Sequence, residues 1–403
     1  MSSENAVSYN KKSVTDIDVK GKKVLLRCDF NVPIDKVTGK IRDEGRIIAA
    51  VPTIDYLLNN GASVIACSHF GRPKGEFNPE FSLAPVAESL SKHLGKPVSL
   101  ARDVVGEDAV RLAGDLKPGE IMLLENTRFH AEEEKNDPEF AKKLAGLADI
   151  YVSDAFGSVH RAHASTEGVS HYLPAVSGFL LKKELDYIGG AISDPKRPLV
   201  AILGGAKVSD KLGVISNLLK ISDAVIIGGG MAYTFFKAEG GKIGNSLCED
   251  SEFESVLKCK EEAKERGVKL LLPEDSIAGS EFSNDVEPRT FDSDAIPDGM
   301  MAMDIGPKAI AVFTKEIVGA GTIVWNGPMG VFEFSNFAEG TRAVANAVAE
   351  SNAISIIGGG DSAAAVRKFG VEDKITHIST GGGASLEFME GKILPGIACL
   401  LDA

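Results

Sequence analysis

The chain has 403 residues, of which 44% are apolar and 25% are charged, and its formal net charge is −13. This length and composition predict a globular protein of two domains and exclude a disordered, collagenous or small disulfide-stabilised chain. The acidic balance also excludes the broad basic surface with which proteins bind nucleic acid, so a site for an anion must concentrate its Arg and Lys residues locally.

The cysteines and the N-terminal residues bear on the cellular compartment of the protein. The five cysteines include no C-x-x-C pair and are odd in number, which disfavours a disulfide framework or a structural zinc site and favours a reducing compartment. The N-terminus lacks the apolar stretch of a secretory signal and is not Arg-rich. No run of apolar residues is long enough to span a membrane. We expect a cytoplasmic protein without nucleic-acid or membrane partners, with a processed organelle form as the alternative.

Short runs rich in Val, Ile and Leu recur along the chain, and helical patterns separate most of them. Runs of this kind without alternation are typical of strands that are buried on both faces of a parallel sheet. The predicted strands are 23–27, 64–68, 121–124 and 150–152 in the first half, and 199–203, 224–227, 270–272, 322–325, 355–357 and 377–379 in the second. The helical patterns include 82–94, 139–147, 210–220, 252–266 and 340–351. The alternation predicts an α/β protein of two doubly wound, Rossmann-like parallel-sheet domains.

The domain boundary is expected at a helical pattern over 179–192, which Gly189-Gly190 and the Pro-containing segment 193–198 bring to an end. The predicted domains are therefore 1–188 and 189–403, joined by a hinge helix. The C-terminal segment 393–403 is apolar, and its pattern alone would allow packing on either domain.

Cationic and polar side chains follow the predicted strands of the first half. Ligands of open parallel sheets bind outside the carboxyl ends of the strands, so these residues should meet at one edge of the sheet. Guanidinium groups bind phosphate and carboxylate through forked hydrogen bonds, which indicates a small substrate with several negative charges. His160 and His163 lack a third ligand at a familiar spacing, so a metal site is the weaker interpretation there. The residues at the strand ends are Arg27, Asp29, Asn31, His69, Arg72, Arg128, His130 and Arg161, and Arg46 opens a helix.

Glycine-rich turns follow the predicted strands of the second half. Glycine lets backbone N–H groups approach a phosphate closely, and the N-terminus of the following helix favours negative charge. Lys207 and Lys211 lie one turn apart at a helix entry, so both could reach phosphates, and Glu333 is a candidate ribose ligand. The turns are 204–207, 228–230, 326–330, 358–361 and 381–383. Together they predict a nucleotide cleft, although the first of them lacks Walker A spacing.

The turn at 358–363 bears on the kind of nucleotide. Its pattern G-x-G-x-x-A fits the relaxed dinucleotide fingerprint, which keeps an NAD-dependent dehydrogenase as an alternative. The next strand, however, ends without an acidic residue for a ribose, and Asp361 lies inside the turn. A carboxylate beside a pyrophosphate is repulsive unless a divalent cation lies between them. We therefore expect Mg²⁺ with the nucleotide and Asp361 as its ligand.

Nine blocks of the sequence, taken together and in order, resemble the phosphoglycerate kinase family. They are RCDFNVP (27–33), SHFGRPKG (68–75), LLENTRFH (123–130), SDAFGSVHRAHAS (153–165), GGAKVSDK (204–211), IIGGGMAYTF (226–235), WNGPMGVFE (325–333), GGGDSAAA (358–365) and STGGGASLE (379–387). Two departures are small, because Ser158-Val159 replaces the more usual Thr-Ala and Ser362 keeps the hydroxyl of a common Thr.

The resemblance implies phosphoryl transfer between ATP and the carboxylate of 3-phosphoglycerate, giving 1,3-bisphosphoglycerate and ADP, in glycolysis or in the reverse direction in gluconeogenesis. It implies a monomer whose C-terminal segment folds back onto the first domain. At the phosphoglycerate site it places Asp29, Asn31, Arg46, His69, Arg72, Arg128 and Arg161. At the nucleotide site it places Gly205, Lys207, Lys211, Gly306, Asn326, Glu333, Gly359, Gly360, Asp361 and Ser362.

No catalytic base is evident, and the chemistry requires none. A carboxylate is already ionised near neutral pH, so catalysis reduces to alignment and charge stabilisation. We expect Arg46 and Lys207, with backbone amides around Gly359 and Gly382, to stabilise the transferring phosphoryl group. The two anion sites lie in different predicted domains, so direct transfer requires closure about a hinge near 189–198. A kinase for another carboxylate and a non-catalytic anion-binding protein are the remaining alternatives.

Overall fold

The computed structural model describes residues 9–35 and 37–403, and the described chain divides into two compact units. The first unit extends to Asp186 and also includes Ile393–Ala403, and the second unit is Tyr187–Lys392. This division lies two residues before the predicted boundary, and it assigns the C-terminal segment to the first unit. Residues 1–8, which belong to the predicted first domain and its N-terminal pattern, lie outside the described residues.

The first unit is built on one parallel sheet. Its strands are β1 (Lys23–Arg27), β2 (Ser63–Cys67), β3 (Val98–Leu100), β4 (Ile121–Leu123), β5 (Ile150–Ser153) and β6 (Ala175–Ser177). The spatial order is β3-β4-β2-β1-β5-β6, and every neighbouring pair is parallel. The four predicted strands are present within one residue at each end. The sequence did not predict β3 or β6, because three residues at a sheet edge are too short to show an apolar run.

Helices cover this sheet through their apolar faces. They are α1 (Gly45–Asn59), α2 (Ala84–Leu94), α3 (Glu107–Asp115), α4 (Ala131–Glu134), α5 (Pro138–Ala145) and α6 (Phe179–Glu184). In α1, Ile47 and Ile54 share one buried cluster with Val24 and Leu26 of β1. This packing fixes the start of α1, where Arg46 lies, relative to the end of β1.

The second unit contains a larger set of strands. They are β7 (Leu199–Leu203), β8 (Ala224–Ile227), β9 (Lys242–Ile243), β10 (Lys269–Leu271), β11 (Asp275–Gly279), β12 (Arg289–Asp292), β13 (Ala295–Ile296), β14 (Met301–Ile305), β15 (Thr322–Asn326), β16 (Ile354–Gly358) and β17 (His377–Ile378). Six of them form a parallel sheet in the order β10-β8-β7-β15-β16-β17. The antiparallel sheet β12-β11-β14 and the pair β13-β9 were not predicted. These strands do not form apolar runs, because the buried β11 and β14 contain Asp275, Ser276 and Asp304, and β12 exposes most of its side chains.

The helices of the second unit lie between these strands. They are α7 (Gly190–Ser193), α8 (Leu212–Ile221), α9 (Ala232–Ala238), α10 (Phe253–Arg266), α11 (Pro307–Val318), α12 (Glu339–Glu350), α13 (Gly360–Lys368) and α14 (Gly383–Met389). Where one helix was predicted over 179–192, a π-helical turn over Leu185–Gly189 separates α6 from α7. No helix in the described ranges is long and apolar enough to cross a membrane.

The C-terminal segment, with its short helix α15 (Pro395–Ala398), is hydrogen-bonded within the first unit. The amide of Leu401 donates to the carbonyl of Ala175 in β6 at 3.0 Å. The amide of Gly396 donates to the carbonyl of Val159 at 2.9 Å, in the loop that follows β5. The segment therefore connects the edge of the sheet with a loop at its carboxyl side.

Candidate functional site

The loops after β4, β2, β1 and β5 leave four neighbouring strands of the first unit at the carboxyl edge of its sheet. Asp29 joins two of the predicted residues, because its Oδ1 accepts hydrogen bonds from the Asn31 amide at 3.1 Å and from Arg46 Nη1 at 2.7 Å. The side-chain oxygen of Asn31 accepts from the amide of Gly71 at 3.0 Å. The structure thus brings Asp29, Asn31 and Arg46 together beside the loop after β2.

His69 lies at the centre of a group of guanidinium groups. Its Nδ1 is 3.1 Å from Nη2 of Arg27, and because Arg can only donate, the neutral ring carries its proton on Nε2. Burial, and then the charges of Arg27, Arg128, Arg46 and Arg161, hold the pKa of His69 well below its usual range. These four predicted cations therefore lie close enough to act on one imidazole.

Arg27 has a supporting position in this group. Its side chain is buried, Nε donates to Ser165 Oγ at 2.8 Å, and Nη1 donates to the carbonyl of Cys28. Ser165 in turn donates its hydroxyl and its amide to the buried carboxylate of Glu133. Arg27 therefore positions His69 from the interior.

Arg128 is held by the loop after β2 and by its own loop after β4. Its Nη1 donates to the carbonyl of Gly71 at 2.9 Å, and its amide donates to Asn126 Oδ1 at 3.0 Å. Asn126 also accepts from the amide of Phe70 at 3.1 Å, so this side chain ties the loop after β2 to the loop after β4. Burial lowers the pKa of Arg128, and Glu134 Oε1 lies 3.3 Å from its Nε.

Arg72 and Arg161 are exposed, and within the described ranges their guanidinium groups form no hydrogen bond or ion pair. The charge of Arg161 nevertheless contributes, after burial, Arg128 and Arg27, to holding the pKa of His163 at about 4. His163 therefore lies near the same cations and stays neutral at pH 7. The sequence around His163, including His160, does not indicate that His163 lies near these cations.

In the second unit, the loops after β7 and β15 cross at very short distance. The amide of Gly204 donates to the carbonyl of Asn326 at 3.0 Å. A Cβ atom on Gly204 would lie 2.0 Å from the carbonyl oxygen of Pro328. Gly327, at φ +100°, would place a Cβ atom 2.1 Å from the carbonyl oxygen of Gly204. Only glycine allows this crossing, which brings two of the predicted phosphate-binding turns together.

Lys211 and Asn326 lie at the same crossing. Lys211 Nζ donates to Asn326 Oδ1. Burial lowers the pKa of Lys211, and the nearby carboxylate of Asp361 is among the charges that oppose this shift. The hydroxyl of the fully buried Ser362 accepts from the amide of Gly327 at 2.6 Å. The hydroxyl thus fixes the loop after β15 against the start of α13.

A cavity of about 410 Å³ opens beside these loops. Gly205, Glu333 and Asp361 of the predicted set line it. Gly229, Gly230, Pro328 and Met329 of the predicted glycine-rich turns also line it. The lining residues that the sequence did not single out for the site are mainly apolar and include Tyr233, Leu247, Phe282, Met303, Asp304 and Val331. Gly359, at φ +89°, caps α13, which Gly360 begins, so the amides of this helix start lie next to Asp361. Such a cavity fits an apolar ring with a polar rim.

The other predicted residues lie outside this lining; Lys211, Asn326, Gly359, Gly360 and Ser362 are described above, and Gly306, Lys207 and Gly382 remain. Gly306 is buried, and a Cβ atom there would lie 2.3 Å from Cγ of Asp275, whose carboxylate accepts the amides at the start of α11. Lys207 is exposed, and Gly382, at φ +51°, caps α14. The structure therefore places Gly306 at a helix start.

Asp304 is a cavity residue that its sequence position did not reveal. Its carboxylate accepts from the amides of Ile305 at 2.9 Å and of Gly340 at 2.7 Å, at the start of α12. Burial raises the pKa of Asp304 to about 7. Asp304 is the fourth residue of β14, and only its burial distinguishes it from a surface carboxylate.

Comparisons with known proteins agree along the whole chain. The sequence model of the phosphoglycerate kinase family matches residues 14–392. Curated phosphoglycerate kinases of Clostridium novyi and Clostridium perfringens are 58% and 57% identical over 399 residues, which is 98% of this chain and 100% of theirs. The solved phosphoglycerate kinase of Coxiella burnetii has a TM-score of 0.91 at 45% identity, covering 96% of this chain and 98% of its own. That of Pyrococcus horikoshii has a TM-score of 0.78 at 34% identity with the same coverage. The chain therefore belongs to the phosphoglycerate kinase family.

Proposed function

We propose that this protein transfers a phosphoryl group between ATP and the carboxylate of 3-phosphoglycerate, giving ADP and 1,3-bisphosphoglycerate. The observation that carries the proposal is the convergence of Arg27, Arg46, Arg128 and Arg161 on His69 in a protein of net charge −13. Such a local concentration of cations serves a multiply charged anion, and the family match names which one.

The first unit binds 3-phosphoglycerate. Arg72, Arg128 and Arg161, with the Nε2–H of His69, hold the phosphate that is not transferred. Asp29 and Asn31 orient the hydroxyl and carboxylate of the substrate. Two features support this division: Arg72 and Arg161 are exposed donors, and the neutral His69 presents one N–H that does not repel a neighbouring guanidinium.

The second unit binds the nucleotide. Its base occupies the cavity lined by Tyr233, Leu247 and Phe282, and Glu333 at the rim binds the ribose. Gly205 and the amides at Gly359 and Gly360 surround the phosphates, because the N-terminus of a helix favours negative charge. Lys211 binds the phosphates after releasing Asn326. Gly306 and Ser362 act here through the backbone that they fix, since both are buried.

Mg²⁺ enters this site with the nucleotide, and Asp361 is its protein ligand. Among the described residues, no group of three or more His, Cys, Asp or Glu side chains could hold a metal alone. Asp361 is an exposed carboxylate of the cavity lining, and a single protein carboxylate fits an ion that takes its other ligands from water and phosphates. When bound, Mg²⁺ neutralises charge on the phosphates and so favours attack by an anion.

Catalysis consists of alignment and charge stabilisation, because the attacking carboxylate is ionised at neutral pH. Arg46 and Lys207, with the amides near Gly359 and Gly382, stabilise the oxygens of the transferring group. Transfer requires the two bound substrates to meet, so we infer a closure about the segment 189–198 that excludes water from the acyl phosphate. Identical small-angle scattering profiles with and without both substrates would contradict this closure.

We further propose a cytoplasmic monomer. The described chain has five free cysteines, three of them buried, which suits a reducing compartment. Each unit buries its own apolar core, so neither requires a second copy to fold. Sedimentation equilibrium gives the mass in solution, and a dimer mass would contradict the monomer.

The direct test measures formation of 1,3-bisphosphoglycerate from Mg-ATP and 3-phosphoglycerate, through the NADH that glyceraldehyde-3-phosphate dehydrogenase consumes when it reduces this product. We expect NADH loss that requires the protein, ATP and 3-phosphoglycerate together. NADH loss without ATP would favour the dehydrogenase alternative. No turnover by folded protein would overturn the assignment of 3-phosphoglycerate as the substrate, and other carboxylates would then be tested by their ATP-dependent ADP formation.

A further inference from the structure

Glu134 is the carboxylate that lies against a cation of the proposed phosphate site. Its Oε1 is 3.3 Å from Nε of Arg128. The two side chains differ in environment, because that of Arg128 is 6% exposed whereas that of Glu134 is 50% exposed. Glu134 ends the short helix α4, which follows the Arg128 loop directly, so the pair is local in sequence.

The pair is not a well-formed hydrogen bond. Nε of Arg128 is buried and has no hydrogen-bond partner, although the carboxylate lies within ion-pair distance. The opposite side of the guanidinium is engaged, since Nη1 donates to the carbonyl of Gly71 at 2.9 Å. The guanidinium of Arg128 therefore has a partner other than Glu134, and its Nε lies buried beside the carboxylate without a hydrogen bond.

The surrounding charge is strongly positive. Arg27, Arg46 and Arg161 lie close enough to Arg128 to act on the same histidine, and His69 and His163 are both held neutral. In such a group, a carboxylate beside one guanidinium reduces the attraction that an incoming anion experiences. A phosphate that reaches the Nε donor must compete with the carboxylate already present.

We propose that Glu134 is a resident counter-ion of Arg128 that weakens binding of the phosphate of 3-phosphoglycerate. Its role is to set the affinity of the site and to favour release of the bound anion. This inference rests on the proposed function of Arg128 as a phosphate ligand. It assigns Glu134 no part in the chemical step, because the carboxylate acts only through Arg128.

Substitution of Glu134 by Gln tests the proposal, because it removes the charge and keeps the shape. We expect the Kd of 3-phosphoglycerate to fall roughly three- to tenfold at low ionic strength and the difference to shrink in about 0.5 M salt. The KM for Mg-ATP should not change. Glu132→Gln is the matched control, because Glu132 is exposed on the same helix and its removal changes the net charge equally.

Two outcomes would overturn the proposal: a Kd for Glu134→Gln that rises, and a Kd that equals that of Glu132→Gln. A rise would show that Glu134 orients Arg128 instead of competing for it. In an Arg128→Ala background, Glu134→Gln should have no further effect on the Kd. If Arg128→Ala alone leaves the Kd unchanged, Arg128 does not bind the phosphate and the proposed phosphate site is wrong. If Arg128→Ala raises the Kd but Glu134→Gln does not lower it, the phosphate site stands and only the proposed role of Glu134 is wrong. Circular dichroism melting of each variant shows that it is folded.

Discussion

Nη2 of the buried Arg27 donates to Nδ1 of His69 at 3.1 Å, so a guanidinium that never reaches the surface determines which nitrogen of the histidine carries the proton. A doubly protonated His69 would place N–H against N–H at this contact and add a charge among four guanidinium groups. The site therefore uses His69 as a neutral donor, and its positive charge comes from arginine, which stays protonated at any physiological pH.

This relationship predicts that His69 does not titrate near neutral pH. Because burial and the neighbouring guanidinium groups hold its pKa well below the usual value, we expect the imidazole nitrogen resonances of His69 to remain those of the neutral Nε2–H tautomer from about pH 8 to about pH 6. Nitrogen-detected NMR of selectively labelled protein measures this, with His69→Gln assigning the resonance. A midpoint between these pH values would show that the site carries an extra positive charge.

Arg46 should act mainly in the transition state. It is half-exposed at the start of α1, and Asp29 holds it at 2.7 Å, so it can turn towards charge that develops on the transferring group. We expect Arg46→Ala to lower kcat on the order of 10²- to 10³-fold with a small change in both KM values.

Arg42→Ala is the matched control for Arg46, because Arg42 is also exposed and paired with an aspartate, Asp35, in the preceding loop. Its kcat should remain that of the unsubstituted protein. If Arg46→Ala raised the KM for 3-phosphoglycerate and left kcat unchanged, Arg46 would bind ground state and transition state equally and would have no specific role in transfer.

The parallel sheets, and the edge of each sheet at which ligands bind, were predictable because both follow from short stretches of sequence. Runs such as Leu199–Leu203 are buried on both faces, and a continuous apolar run is the direct record of that burial. The polar residues that follow such strands must lie at the carboxyl edge, so Asp29 and Asn31 were found next to Arg46 as expected. In the antiparallel sheet, the buried strands β11 and β14 include Asp275, Ser276 and Asp304 and β12 is largely exposed, so no continuous apolar run marks these strands in the sequence.

The roles of individual polar residues were less predictable, because burial depends on contacts between distant parts of the chain. Arg27 ends β1 and Arg128 follows β4, and both are buried, yet Arg27 bonds to interior partners whereas Arg128 lies against the half-exposed Glu134. The buried Asn126 accepts a hydrogen bond from Phe70, which lies 56 positions away in the sequence. The buried Asp304 accepts one from Gly340, which lies 36 positions away. Such pairs become evident only when the fold brings the loops together.

Asp304 predicts a pH dependence of stability. Its folded-state pKa is raised to about 7, so the folded protein binds this proton more tightly than the unfolded chain does. Its contribution is fully present below the unfolded-state pKa of about 4 and is lost as the pH rises through about 7. We expect the unfolding free energy of the protein, relative to Asp304→Asn, to fall between these pH values and to level off above them.

Denaturant unfolding at a series of pH values measures the Asp304 effect. Asparagine offers one acceptor oxygen where the carboxyl group accepts two amides, so the variant carries a constant loss that does not vary with pH. Asp294→Asn, at an exposed position of the same unit, controls for general charge effects. A difference between protein and Asp304→Asn that stays constant from pH 4 to pH 8 would contradict the raised pKa.

The C-terminal segment should influence the substrate through Gly396. A Cβ atom on Gly396 would lie 2.9 Å from Cα of Val159, and the amide of Gly396 donates to the carbonyl of that residue. Val159 lies two positions before Arg161, whose exposed guanidinium has no hydrogen bond within the described ranges to fix it. The backbone therefore determines where Arg161 reaches. The end of the segment is also held, because Lys11, whose side chain is 6% exposed, forms an ion pair with Asp402 at 2.8 Å.

Substituting Gly396 by Ala should displace the Val159 loop and raise the KM for 3-phosphoglycerate on the order of tenfold, with the KM for Mg-ATP unchanged. Gly114→Ala in α3 is the control, since a Cβ atom there meets nothing within 4 Å and alanine favours the helix. Loss of stability alone would lower the melting temperature of Gly396→Ala without separating the two KM values. The double variant Gly396→Ala/Arg161→Ala tests the mechanism. If Gly396→Ala acts by moving Arg161, it should not raise the KM further once that guanidinium is absent. An additive effect on the KM would show that the segment acts on the site by another route.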